Sequence, residues 1–259
     1  MRAAPLPHMF AAQAALELRL ALRRGEAVLV TLVIPPLLLA FLSTGPALID
    51  RARPGESAKV AETVAVFLPG MLALAVMSAA MVSLAISTGY ERYYGVLKRL
   101  GGSPLSRWVL IAAKLAATLA VELLQLALLI AVALVLGWRP EGIPPLAPLL
   151  ILLAMLLGTA AFGGLGLWMA GTWRAEATLA GANALYILLL LFGGIVVSPA
   201  SLPGPMGAVS SLLPSAALAG VLRAAFASAE GGTLASALVT LAVWAALAPT
   251  LAAITFKWE

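Results

Sequence analysis

Long apolar runs alternate with short polar breaks along this chain, and six of the runs are long enough to cross a bilayer as helices. A crossing needs about 20 apolar residues, because each helical residue rises 1.5 Å. The runs cover residues 27–49, 63–87, 107–136, 146–170, 176–197 and 233–256. Between the last two, residues 198–232 are apolar but cut by Pro199, Pro203, Pro205 and Pro214. The uncut pieces are too short to cross. They predict one or two short helices that dip into or lie on one face, with protein covering any irregular backbone at membrane depth.

Ahead of the first run, the stretch FAAQAALELRLALRR sets Ala11, Ala14, Ala15, Leu18, Ala21 and Leu22 on one helical stripe, with Gln13, Glu17 and Arg24 opposite. This spacing predicts an amphipathic helix over residues 10–25 lying in the cytoplasmic interface. The alternative is a plain extension of the first span. Gly25 beside the charged Arg23, Arg24 and Glu26 favours a break.

Composition agrees with the pattern. Of 259 residues, 63% are hydrophobic and only 10% charged, and the mean hydropathy is +1.06. No polar segment is long enough to fold as a separate soluble domain, so the whole chain, 1–259, reads as one membrane domain. The absence of cysteine removes disulfides, thiolate metal sites and thiol nucleophiles. His8 is the sole histidine, and neither an HExxH helix, a GxSxG elbow nor a GxxxxGK[ST] phosphate loop occurs. The expectation is a chain with no catalytic residue, no metal and no cofactor of its own. The first 25 residues, with charges spread through them, do not resemble a cleavable signal.

Basic residues set the orientation, since loops rich in Lys and Arg stay in the cytoplasm. Six spans put Arg2, Arg19, Arg23, Arg24, Arg92, Lys98, Arg99, Arg107, Arg174 and Lys257 on the side of both termini. Arg51, Arg53, Lys59, Arg139 and Arg223 fall on the other. Both termini are therefore expected in the cytoplasm. Trp108, Trp138, Trp173 and Trp258 stand at predicted span ends, as interfacial aromatics do.

The polar island GYERYYGVLKRLGGSPLSR, residues 89–107, separates the second and third runs. By spacing, Tyr93, Val96, Leu97 and Leu100 share a helical face, with Glu91, Arg92, Lys98 and Arg99 around the rest. Gly101 and Gly102 stop that helix. Ser103 and Pro104 restart the chain as an N-cap and a first helical position. A basic loop touching anionic lipid is one reading. The mixture of Glu91, Tyr90, Tyr93, Tyr94 and an apolar stripe favours a protein docking surface instead.

The stretch YERYYGVLKRLGGSPLSRWVLIAAKLAATLAVELLQ resembles the signature of the type-2 ABC transporter permeases, which include drug-resistance and polysaccharide export permeases. Their pattern E-R-x-x-G-x-L-x-R-L-x-x-[ST]-P-[LI] is matched by Glu91, Arg92, Gly95, Leu97, Arg99, Leu100, Ser103, Pro104 and Leu105. The likeness extends over nearly the whole chain, with Pro199, Leu202, Pro203, Pro214 and Arg223 resembling the family's extracellular hairpin. It implies an all-α membrane protein with six transmembrane helices, an N-terminal interfacial helix, a coupling helix over 89–105 and short re-entrant helices over 198–232. It also implies a multi-pass export permease of a bacterial-type plasma membrane. Two copies of a separate ATP-binding cassette subunit would carry ATP and Mg and dock on the coupling helix, Tyr93 and Lys98 included. A second permease chain, identical or related, would complete the pore, and no nucleic acid takes part. The short first external loop, Asp50 to Glu62, argues against a receptor-binding domain. The expected cargo is an amphipathic small molecule such as a drug or natural product. A lipid-linked glycan, a haem-related cargo, or a scaffold that moves nothing are the alternatives. A membrane enzyme would need paired acidic motifs or a Ser/His pair within the spans.

Polar groups inside the spans are candidates for the cargo path. An acidic residue such as Glu122 costs about 2.5–3.5 kcal/mol at mid-membrane on insertion scales. Gln125 lies one turn along the same face, and Asn183 with Tyr186 forms a similar pair in the fifth span. These groups either line a path or hold helices together by hydrogen bonds. Met71, Met77 and Met81 offer an adaptable wall for greasy cargo or plain packing. Lys114 is expected to snorkel to the interface. Gly158, Gly163, Gly164 and Gly166 predict close helix packing.

Overall fold

Backbone in hydrocarbon must satisfy its own hydrogen bonds, which for runs of this length means helices. The computed structural model describes residues 5–23, 25–49, 56–140, 142–195, 204–226 and 234–258, and every regular element among them is helical. Two helices open the chain, α1 (Leu6–Arg23) and α2 (Gly25–Ile49). Then come α3 (Glu56–Val76), a π-helical stretch (Met77–Ser83) and α4 (Leu84–Tyr93), followed by the short α5 (Val96–Gly101). The long α6 (Arg107–Val135), α7 (Ala147–Thr172) and α8 (Ala175–Phe192) precede α9 (Pro205–Ser211), α10 (Pro214–Ala225) and α11 (Leu234–Thr255). Arg2, Arg24, Arg51, Arg53, Pro199, Leu202 and Pro203 lie outside the described residues, as do residues 227–233.

Val60–Tyr93, Arg107–Val135, Ala147–Thr172, Ala175–Phe192 and Leu234–Thr255 are each long and apolar enough to cross a membrane. With 25 residues, α2 reaches about 37 Å at the helical rise, and its stretch Thr31–Gly45 is apolar. The predicted runs overlap these helices, apart from residues 196, 197 and 233, which lie outside the described residues. In the proline-cut region α9 and α10 meet at a bend of 75°. Arg223 of α10 donates to the carbonyls of Gly194 and Ile195, 2.5 and 3.0 Å away, and so clamps the bent pair to the end of α8.

The core centres on α7, which packs most extensively on α11 and also meets the π stretch, α4 and α10. Its glycines explain the closeness. A Cβ on Gly164 would stand 2.4 Å from the Pro249 backbone nitrogen of α11, and one on Gly166 would stand 2.7 Å from the Met81 carbonyl. Without those hydrogens-only side chains the helix backbones could not touch, so the expectation of close packing drawn from these residues is met.

Two sequence expectations change here. The second run does not wind uniformly: seven residues, Met77–Ser83, form the π-helix, which α-helical spacing cannot anticipate. Trp138 is no interfacial aromatic but is buried against Phe226, with ring centroids 6.0 Å apart. The structure also shows which residues of α1 turn inward. Its buried residues are Gln13 and Glu17, whereas Leu16, Leu20 and Leu22 are exposed. The helix packs along α6, with Gln13 and Glu17 turned toward protein, Ala14, Leu18 and Ala21 half-buried beside them, and Leu16, Leu20 and Leu22 outward.

Candidate functional site

The polar island folds as two helix ends joined at a glycine. After α4, the backbone of Gly95 takes a left-handed conformation with φ of 72°, which glycine adopts without a Cβ clash, and its N–H donates to the Arg92 carbonyl at 2.9 Å. This break separates residues that straight helical spacing would align. Leu97 is fully buried in a small cluster with Leu110 and Phe256, flanked by Leu100, Leu105 and Trp258. Tyr93, Tyr94 and Val96 instead stand 65%, 69% and 42% exposed. Lys98, Arg99, Ser103 and Pro104 are exposed as well. The predicted common face of Tyr93, Val96, Leu97 and Leu100 is thus split in two: an inward leucine pair and an outward aromatic and basic surface.

The restart also differs from expectation. Ser103 donates its hydroxyl to the Leu100 carbonyl at 2.6 Å, closing the turn rather than capping the next helix. The cap of α6 is Ser106, whose Oγ accepts from the Val109 N–H at 3.3 Å. Pro104 therefore lies in the turn, not at the first helical position. Gly101 allows the C-terminal segment to approach, since a Cβ there would sit 3.0 Å from the Trp258 ring.

The inward side of α4 carries the charges. Arg92 donates to the Trp173 carbonyl at the end of α7. Glu91 accepts from Lys114 Nζ at 2.6 Å, and the same Nζ donates to Glu17 of α1 at 2.9 Å. Gln13 holds the other oxygen of Glu17 at 2.8 Å. Lys114 is 1% exposed, so it does not snorkel. Two carboxylates, one from α1 and one from α4, replace the water that snorkelling would seek. Of the candidate docking residues, Glu91, Arg92, Leu97 and Leu100 thus fasten the segment to the bundle, while Tyr93, Lys98 and Arg99 present its outer surface.

The mid-membrane polar groups divide in the same way. Glu122 is 1% and Gln125 2% exposed. A Glu122 oxygen accepts from the Thr159 hydroxyl of α7, and Gln125 Nε2 donates to the Thr31 carbonyl of α2 at 2.7 Å. Both tie α6 to neighbouring helices. Met77 and Met81 are fully buried in the main core. Asn183, which donates to the Leu179 carbonyl at 2.8 Å, and Tyr186 line a cavity of about 200 Å³ with Thr31, Pro35, Met71 and Ser78. A wider groove of about 540 Å³ shares Thr31, Ser78 and Val82 and runs on to Ser83, Ser87, Tyr90 and Tyr94. Thr31, Ser78, Ser83 and Ser87 were not singled out by sequence. Ser78 and Ser83 are five residues apart, a spacing that shares one face only in a π-helix.

Thr159→Val should leave the Glu122 carboxylate without its buried partner and lower stability by about 1–3 kcal/mol, whereas Thr159→Ser should hold near wild type. Thermal unfolding of the purified chain in mild detergent measures both. Equal midpoints for the two variants would remove the hydrogen bond from the account of how α6 meets α7.

Among curated proteins no relative matches the chain. A family model described as ABC-2 type transporter matches residues 11–227, from α1 through α10. That range holds the interlocked α4–α5 segment, the groove beside it and every helix long and apolar enough to cross a membrane except α11. The chain belongs to the ABC-2 type transporter family, as a multi-pass permease subunit that associates with an ATP-binding cassette subunit.

Proposed function

We propose that the chain is the membrane half of an exporter that moves an amphipathic small molecule, a drug or natural product, out of the cytoplasm. One observation carries the reading: the α4–α5 segment is anchored inward through Leu97 while Tyr93, Tyr94 and Val96 remain exposed beside Lys98 and Arg99. Exposed tyrosine and arginine on a firmly held short helix suit a docking contact, in which a few such residues supply most of the binding energy. A partner ATPase binding ATP and Mg²⁺ docks there and moves the segment as its own subunits close.

The groove along α2, the π stretch and α8 supplies the cargo path. It is mostly apolar, with hydroxyls, Asn183 and, at one end, the Glu91 carboxylate as the polar contacts, a lining that fits an uncharged or weakly basic amphipath better than a polyanion. The groove is open on one side, and a second permease chain closes it. Two copies of the ATPase subunit serve the pair. Trp258 packs at α5 and Glu17 shares Lys114 with Glu91, so both ends of the chain share the docking side, which we assign to the cytoplasm of a bacterial-type plasma membrane.

The test is affinity purification of the tagged chain in mild detergent with mass spectrometry of what co-elutes. An ATP-binding cassette subunit is expected with the wild type, and Tyr93→Ala combined with Arg99→Glu should reduce its recovery at least tenfold, the loss of about 1.4 kcal/mol or more. The variant chain itself should accumulate and melt as before, since both side chains point away from the core. Undiminished recovery moves the docking site elsewhere. Cargo uptake into inverted, but not right-side-out, vesicles would establish the direction.

A further inference from the structure

We infer that Glu122, near the middle of α6, is a proton-binding site: it is held here as a neutral carboxylic acid whose O–H donates to Gln125, and its proton controls the link between α6 and the α2 wall of the groove. Glu122 and Gln125 are 1% and 2% exposed, and each has one buried oxygen without a hydrogen-bond partner, Oε1 in both. The two residues lie one turn apart on one face of the helix. A buried acceptor left unpaired is costly, and here two stand on the same face. Thr159 does not relieve them, since its single hydroxyl proton stands within bonding distance of both the other Glu122 oxygen and the Met155 carbonyl. The Gln125 amide cannot turn round to help, because its nitrogen faces the Thr31 carbonyl at 2.7 Å, a position that only a donor can occupy. The cluster thus has more acceptors than donors. One proton on Glu122 Oε1 supplies the missing donor and satisfies both oxygens at once.

No charged group among the described residues faces Glu122 to hold it ionised. The π stretch, α7 and α11 all pack against α6 and contain no ionisable side chain. Lys114 of α6 lies eight residues away, about 12 Å along the axis, and is already bound by Glu17 of α1 and Glu91 of α4. His8, Arg19 and Arg23 of α1 are exposed. Glu26 belongs to the first turn of α2, and Glu56, Lys59 and Glu62 to the first two turns of α3. A carboxylate at this depth without a counter-charge is expensive, and a carboxylic acid is far less so. A small cavity of about 70 Å³ extends from Glu17 and Glu91 past Thr118 to Val121 and Thr31, and its size and polar lining give room for water beside the turn that carries Glu122. Loss of the proton to that water leaves an anion beside the Gln125 oxygen. Gln125 then turns its nitrogen toward the anion and gives up Thr31, the α2 residue that lines both this cavity and the groove.

The experiment needs neither the ATPase subunit nor a cargo, so it stands apart from the transport reading. The purified chain is placed in phospholipid nanodiscs at neutral pH, and its infrared spectrum is searched for the carbonyl stretch of a protonated carboxylic acid. The band is expected in the wild type and absent from Glu122→Gln, which keeps the shape and a donor but cannot ionise. Gln125→Met removes the acceptor and should move the band to higher frequency. A wild type without the band, or a band that persists in Glu122→Gln, overturns the proton site, and a band that Gln125→Met leaves in place overturns the pairing even if Glu122→Gln fails to fold. For the link to the groove, the cysteine-free chain carries spin labels on cysteines replacing the exposed Ile34 of α2 and Leu128 of α6. Their distance should lengthen or broaden as the pH is raised in the otherwise wild-type chain and hold constant in Glu122→Gln. Equal behaviour of the two chains overturns the control of α2 by this proton.

Discussion

Lys114→Met is expected to be among the most damaging single changes in the chain. It leaves Glu17 and Glu91 facing each other without the cation that both bind at under 3 Å. Removing one partner of a buried ion pair costs about 3–5 kcal/mol, because the desolvated charge that remains has nothing to offset it. The remedy follows from the same reasoning: adding Glu17→Gln and Glu91→Gln to Lys114→Met removes every stranded charge and should recover most of the loss, since a buried pair contributes little over a neutral replacement. Thermal midpoints in detergent, together with the amount of chain in the membrane fraction, compare the two. A triple variant as unstable as Lys114→Met would mean that Lys114 acts by packing and not by charge.

The second large effect is expected at Gly164. An added Cβ would meet the Pro249 nitrogen at 2.4 Å and the Ala248 carbonyl carbon at 2.5 Å. Both obstacles are backbone, so no rotamer change relieves them. Overpacking of a core usually costs about 1–3 kcal/mol, and here Gly164→Val adds further methyl groups against an unyielding helix. The pairing of α7 with α11, the most extensive in the bundle, should fail, and the chain should be lost from the membrane fraction. Gly220→Ala is the control: its Cβ would meet only the Ala237 Cβ at an ordinary 3.5 Å. If Gly164→Val accumulates and melts like that control, the contact between α7 and α11 is looser than described.

Much of the architecture was legible in the sequence because bilayer thickness and backbone hydrogen bonding leave apolar runs few options. The third run shows it well: residues 107–136 were expected to be helical, and α6 spans Arg107–Val135. The glycines of α7 also announced their role, since small residues in an apolar helix have little to offer except close approach. What was not legible depends on partners distant in sequence. Periodicity showed that α1 has two faces but could not say which turns inward, because in lipid an apolar face has no compulsion to be buried. Lys114 looked like a residue free to reach the interface, and only the arrival of Glu17, 97 positions away, made it a buried bridge. In the island, the left-handed turn at Gly95 divided a face that straight helical spacing had joined.

The π-helical stretch at Met77–Ser83 amounts to one surplus residue held within a membrane-spanning helix. Each residue turns an α-helix by about 100°, so a helix lacking that surplus would present α4 on a different bearing. Glu91 would then point away from Lys114, and Ser83 and Ser87 would leave the groove they share with Ser78. The aim of everything beyond the stretch is set by this single count. An ancestral insertion or deletion here would have re-aimed α4 and the short helix after it while leaving the span's length, hydropathy and membrane insertion almost untouched.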